Sequence, residues 1–172
     1  RGKRVGNHQS KNGVSLTVEW VNWLDPRAVA QRELMEVETT AMYADRQAAL
    51  DEAGRNAVNA ALTVSPDDIS HTLLVLDDDT VIGHAALRPF GESLEVKKVF
   101  VDSRHRGKGA ARRLMNELEG VARKDSARSL MLQTGHAQLP AMALYESLGY
   151  QRIEAFGHYA DIPFGVCYEK TL

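Results

Sequence analysis

The order of apolar periodicities along this chain predicts an α/β fold: a mixed, mostly antiparallel central sheet with helices on both faces. Three observations carry that prediction. Strand and helix patterns follow one another as strand, helices, three strands, helix, strand, helix and two strands, which is not a regular βαβ repeat. At 172 residues the chain has room for one domain with a sizeable core. A strand, a glycine-rich turn and a helix start also occur in direct succession around Arg104 to Ala110.

Each element has its own signal. Val14 to Val21 alternates polar and apolar residues and reads as a strand. Asp25 then offers an N-cap, and Pro26 suits the first helical position. Val29, Leu34, Val37, Ala41 and Met42 recur at helical spacing, so a helix runs from about Pro26 into the forties. An alanine-rich helical piece continues to about Ala61, with an interruption near Gly54. Leu73 to Leu76 and Val81 to Leu87 flank Asp77-Asp78-Asp79, a hairpin signal. The three aspartates read as turn chemistry rather than a metal site. Leu94 to Val101 is a long strand, followed by the glycine turn and a helix to about Lys124. Leu130 to Leu132 is a short strand, and Pro140 to Leu148 is a helix ended by Gly149. Tyr150 to Phe156 and Val166 to Lys170 close the sheet.

Arg1 to Gly13 is basic and polar with no apolar period, so residues 1–13 are expected to form a flexible tail and residues 14–172 the single folded domain. The formal net charge of −2 gives no global basic field of the kind that draws nucleic acid. No apolar run approaches the roughly 20 residues of a membrane helix, and no secretory signal pattern is visible at the start. The one cysteine, Cys167, excludes an internal disulfide framework and any Cys-rich zinc site. A cytoplasmic enzyme or binding protein, without metal, nucleic acid or membrane, is the expectation.

The turn Arg104-His105-Arg106-Gly107-Lys108-Gly109-Ala110 carries the chemistry. Glycines let a backbone pass close to a ligand, and the free amides of a helix N-terminus point at negative charge. It is neither a Walker loop, lacking the Gly-Lys-Ser/Thr ending, nor a Rossmann fingerprint, lacking the third glycine. Taken alone it is equally a surface turn and a phosphate cradle.

Arg104, Gly107 and Gly109 form an Arg-x-x-Gly-x-Gly signature. About thirty residues on come Gln138-Leu139-Pro140-Ala141-Met142-Ala143-Leu144-Tyr145 and Leu148-Gly149-Tyr150. Together these resemble the two motifs of the GNAT superfamily of acetyl-CoA-dependent N-acyltransferases, over about Glu95 to Tyr150. One departure is Gln138, where the family usually has Asn. The resemblance implies acetyl-CoA (coenzyme A) as co-substrate and no metal. Its pyrophosphate would lie on the amides of Gly107, Lys108, Gly109, Ala110 and Ala111, with Arg104 and Arg106 either adding bonds to phosphate or forming a solvated face. The pantetheine arm would lie along Val99, Phe100 and Val101 as an added β partner, with Gln138 and Tyr145 also touching the cofactor.

Tyr145 matches the tyrosine that usually protonates the leaving thiolate, and Glu95 stands where many members carry a glutamate base. Glu95 is equally an outward polar residue of an alternating strand. His84 is the alternative base, although a hydrogen-bonded structural histidine is the simpler reading. His136 and His158 have no forced role, and Cys167 reads as a buried hydrophobe, so direct transfer is expected over an acyl-cysteine.

The resemblance thus implies an N-acetyltransferase acting on a primary amine of a small molecule or peptide. Two rivals stay open: a CoA or acyl-CoA sensor without turnover, and a nucleic-acid module built on Arg104, Lys108, Arg112 and Arg113. Acceptor choice would rest on about Pro26 to Ser65 and Ala155 to Gly165. Glu33, Glu36, Glu38, Asp45, Glu154 and Asp161 there fit a cationic amine or a plain solvated surface. Homodimers recur in such a family, and nothing in the sequence demonstrates one.

Overall fold

The computed structural model describes residues 2, 4–9 and 15–172. Among them are the strands β1 (Arg4–Gln9), β2 (Ser15–Val21), β3 (His71–Asp77), β4 (Thr80–Phe90), β5 (Ser93–Val101), β6 (Ser129–Gly135), β7 (Gln151–Ile153) and β8 (Gly165–Thr171), and the helices α1 (Pro26–Ala48), α2 (Glu52–Leu62), α3 (Ala110–Lys124) and α4 (Leu139–Ser147). The strands join one sheet in the order β1-β2-β3-β4-β5-β6-β8-β7. Every neighbouring pair is antiparallel except β5 and β6. The expected mixed, mostly antiparallel sheet is therefore present.

Residue alternation decides which helix covers which face. On β3, Leu73 and Val75 join the larger core, where Leu114, Met115, Leu118 and Ala122 of α3 pack with Met142 and Tyr145 of α4. Their neighbours Leu74 and Leu76 point the other way and meet Ala28 of α1. A third cluster joins Tyr43 of α1, Val58 and Ala61 of α2, and Tyr159, Ile162, Phe164 and Cys167 from the end of the chain. Helices thus lie on both faces, and both sides of the central strands are buried.

The caps follow the sequence closely. Asp25 accepts the Arg27 amide at the start of α1, and Asp51 accepts the Gly54 amide at the start of α2. The helical break falls at Ala49 to Asp51, ahead of Gly54, because Gly54 lies inside the first capped turn. The expected strand from Tyr150 shortens to β7, and a 3-10 turn, Gly157–Asp161, follows it.

The expected N-terminal tail needs the largest revision. Arg4–Gln9 pairs antiparallel with β2, with Val5 opposite Val18, and forms the sheet edge. An edge strand is held by main-chain bonds along one side, so its sequence need not alternate. Residues 1, 3 and 10–14 of that segment lie outside the described residues. Asp77 to Asp79 is a plain turn with Asp78 at φ 52°, and the described residues hold no cluster of three or more His, Cys, Asp or Glu able to bind a metal. No helix among them is long and apolar enough to cross a membrane.

Two irregularities shape the centre of the sheet. β5 pairs with β6 only from Leu94↔Leu130 to Val96↔Leu132, after which β6 continues with β8 alone. At the same level the β4–β5 register shifts between His84↔Phe100 and Ala86↔Lys97, and Lys98 adopts a left-handed φ of 54°. This is a β-bulge. His84, with no exposed surface, holds it: Nδ1 donates to the Lys98 carbonyl at 2.9 Å, while Nε2 accepts from Arg32 at 2.9 Å. Both ring nitrogens are used, so His84 is the structural histidine of the sequence reading and not a free base.

Burial lowers the His84 pKa to about 4 from 6.5. The folded protein keeps the ring neutral down to about pH 4, whereas the unfolded chain takes up the proton near 6.5. Protonation therefore favours unfolding between those values, and stability falls as pH drops through that window. The shift corresponds to a loss on the order of 3 kcal/mol. Urea midpoints from pH 7 to 4.5 should fall more steeply for the wild type than for His84→Gln. Parallel slopes would mean that the ring charges in place.

Candidate active site

Where β5 and β6 part, a cleft of about 770 Å³ opens. Its floor is Val96 to Val99 of β5 and Leu132 to Gly135 of β6, and its far walls come from α1, the end of α2 and Phe164. Gln138 and Tyr145 line one side, as the sequence expects. Val99 lines the cleft too, on the stretch of β5 that has lost its β6 partner. That exposed ladder edge is what an extended amide-containing ligand needs for added β pairing. Phe100 and Val101 do not line the cleft by side chain: Phe100 is buried, and Val101 packs on the larger core.

The roof is held by a close approach. Tyr43 of α1 accepts the Ala137 amide at 3.2 Å, and its hydroxyl lies so near Gly135 that a Cβ there would sit 1.6 Å away. Only glycine fits this place, which sets the distance between α1 and the end of β6.

β5 leads into the glycine turn. Gly107 and Gly109 both adopt φ 81° with open space around them, so glycine is needed for conformation and not for room. Gly109 is the N-cap of α3 and supplies no side-chain cap. The first amides of the helix, from Ala110 and Ala111 on, are left for an outside acceptor. The turn is anchored by Asp102, which accepts the Arg104 amide at 3.0 Å and the Arg104 guanidinium at 2.7 and 3.1 Å. Those bonds hold its carboxyl down at about 2.

The cations of the turn are all engaged. Arg106 reaches Glu38 at 2.6 Å and the Val101 carbonyl at 3.1 Å, and Lys108 reaches Asp77 at 2.8 Å. Next on α3, Arg112 donates to Ser147 and Arg113 pairs with Glu117 at 3.1 Å. The Arg104, Lys108, Arg112 and Arg113 cluster is thus laced with acceptors. What this turn leaves open to an anion is its backbone, at the uncapped start of α3.

Tyr145 is buried, its ring packs against Tyr150 and Tyr168, and burial pushes its hydroxyl well above the usual phenol range. It keeps its proton and faces the cleft. Glu95 lies elsewhere than expected. It is fully buried and absent from the cleft wall. The register sets it directly opposite Arg88 on β4, which donates to it at 2.6 Å. Tyr159 donates to its other oxygen through a very short bond.

Lys97, two residues on, does line the cleft. Its ammonium lies 3.8 Å from Glu95 and donates to Tyr159 at 2.5 Å, and burial lowers its pKa to about 8. Sequence reasoning missed Lys97 and Tyr159. The alternation of Glu95 and Lys97 on one strand face was the available signal, but nothing local pointed to Tyr159, 64 residues away from Glu95. His136 and His158 are exposed, Cys167 is buried, and of the six acidic candidates for the acceptor region only Glu36 lines the cleft.

The profile of the acetyltransferase (GNAT) family matches residues 23–150. An IAA acetyltransferase of Azospirillum brasilense is 34% identical over 112 residues, covering 64% of this chain and 72% of that protein. N-acetyltransferase 8 of Homo sapiens is 41% identical over 59 residues, 34% of this chain, and the match spans only 26% of that protein's length. Among solved structures, a Klebsiella pneumoniae protein assigned as an acyl-CoA N-acyltransferase superposes with a TM-score of 0.70 at 26% identity, covering 91% of this chain and 97% of that one. A family match over residues 23–150 takes in α1, α2, β5, β6, the glycine turn and α4, that is, all of the cleft wall but Phe164, and the chain belongs to the acetyltransferase (GNAT) family.

Proposed function

We propose that the protein transfers the acetyl group of acetyl-CoA directly to a primary amine of a small molecule or peptide. The observation that carries this reading is the parting of β5 from β6, with the proton-bearing Tyr145 in its wall and the uncapped start of α3 beyond its end. The residues present fit the donor on physical grounds. An open strand edge at Val99 to Val101 suits an amide-bearing arm, and the free amides from Gly107 to Ala111 suit a pyrophosphate. Arg104 and Arg106 stand beside that turn, each already paired with an acid.

Acetyl-CoA, when bound, supplies the acyl group and a sulfur leaving group. The chain's own part is to hold the thioester against β5 and to manage two protons. Tyr145 Oη gives its proton to the departing sulfur. The acceptor must lose a proton to become a nucleophile. Lys97 is the group of the buried network that reaches the cleft, and a lysine near pKa 8 is partly uncharged at working pH. Lys97 takes the proton, and Glu95 and Tyr159 behind it hold the resulting ammonium. Glu95 is then a positioning residue. Cys167, buried and away from the cleft wall, has no part in the transfer.

Gly107→Val or Gly109→Val should weaken acetyl-CoA binding by at least about 10-fold in calorimetry, because a β-branched residue disfavours the left-handed conformation. An unchanged affinity would remove the turn from the donor site. Tyr145→Phe should lower kcat by roughly 10- to 100-fold with little change in acetyl-CoA affinity. An equal loss in both would make Tyr145 a packing residue. The wild-type kcat/KM should rise with pH through about 8, and Lys97→Met should remove that rise. If the variant keeps the same pH profile, the proton is taken elsewhere.

A further inference from the structure

The charged side chains of the cleft wall are Arg32, Glu36, Lys97 and Lys98. Two of these cations, Arg32 and Lys98, form no salt bridge with a carboxylate among the described residues, and Glu36 is the one acid that acts on Lys98 from a distance. Arg32 donates to the Trp23 carbonyl at 2.5 Å and to neutral His84, and its guanidinium stacks 3.5 Å from the Trp23 ring centre. The Lys98 ammonium has no hydrogen bond or ion pair within 4 Å among the described residues, although the Lys98 carbonyl accepts from His84, and burial lowers the ammonium's pKa. The turn is the opposite case, since Arg104, Arg106 and Lys108 each meet an acid. Unbalanced positive charge is therefore collected inside the cleft, on the α1 side. From Lys98 to Val101, where the strand runs out toward the phosphate cradle, is about 10 Å along β5.

A bare ammonium acceptor would meet repulsion from such a wall. An acceptor carrying its own anion would be drawn in, and neighbouring cations would also lower the pKa of its amine and favour the nucleophilic form. Glu36, on the same wall and close enough to act on Lys98, offers a place for the acceptor's positive end.

We propose that the acceptor is an amine that bears a carboxylate, that is, an amino acid, with Lys98 and Arg32 binding the carboxylate. Arg32 is preorganised for this: Trp23 and His84 fix its plane, so little side-chain entropy is lost on binding. The proposal rests on the acetyl-transfer reading above and names the substrate class of that site.

The test is steady-state kinetics on acceptor pairs that differ only in the carboxylate: L-alanine with ethylamine, L-phenylalanine with phenethylamine, L-lysine with cadaverine. The amino acid should be used at least about 10-fold more efficiently in one or more pairs. Lys98→Met should erase that preference by raising KM for the amino acid, while acetyl-CoA affinity stays the same, and Lys98→Arg should restore it. Equal or better use of the decarboxylated amines across the pairs overturns the proposal. So does a loss of acetyl-CoA affinity in Lys98→Met without a change in acceptor preference, which would give the cations to the donor. Acetyl-CoA bound without turnover on any amine would instead sink the acetyl-transfer reading itself, and this one with it.

Discussion

The site depends on one constraint: two neighbouring parallel strands stop pairing half-way along. β5 and β6 share only three registered positions, Leu94 to Val96 against Leu130 to Leu132. Beyond them a strand edge with unpaired backbone groups faces a cleft instead of a partner. Such groups carry a cost unless water or a ligand satisfies them. The bulge at Lys98 makes the parting possible, because it turns β5 away while β4 still follows it. The bulge in turn is held by one neutral imidazole whose two nitrogens are both committed. Binding surface, strain and the protonation state of His84 are therefore parts of one arrangement.

Behind the cleft floor lies a second arrangement with a different purpose. Arg88, Glu95, Lys97 and Tyr159 form a buried network of charge and hydroxyl groups. Buried ion pairs add little net stability, since desolvation offsets much of their attraction. Their effect is on specificity of place. Tyr159 sits on the 3-10 turn Gly157–Asp161, and its three bonds fix that late segment to β4 and β5 at one position. The same bonds keep Glu95 from the cleft and let Lys97 reach it. A strand register, Arg88 opposite Glu95, sets the whole group.

The sequence made the glycine turn and the α4 side of the cleft legible and left the wall across from them mostly dark. Apolar patterns marked α1, α3, the strands from β2 to β6 and β8, while alanine content marked α2 and the Pro140 and Gly149 boundaries marked α4. β1 escaped notice because an edge strand needs only main-chain pairing. Gly107 and Gly109 were legible because a left-handed backbone excludes most other residues. Tyr145 and Gln138 were legible through motif spacing, and both line the cleft. Glu95 read equally as a base or as an outward polar residue, and the fold instead buries it against Arg88 and Tyr159, off the cleft lining. Contacts between residues that far apart leave no local trace.

That asymmetry has a physical origin. A phosphate held by main-chain amides can be held by any sequence that adopts the turn, so the requirement falls on backbone geometry and appears as glycines at fixed spacing. The wall proposed for the acceptor is made of side chains from α1, the end of α2 and β5, whose spacing in the chain is arbitrary. Arg32 and Lys98 look like ordinary solvated charges until the fold sets them in one cleft with Lys97 and a single acid, Glu36. The acids that the sequence placed nearby are largely turned outward or, like Glu38, already paired with an arginine. Counting acidic residues in those segments fitted a cationic amine or a plain solvated surface equally, whereas the charged side chains that reach the wall are mostly positive.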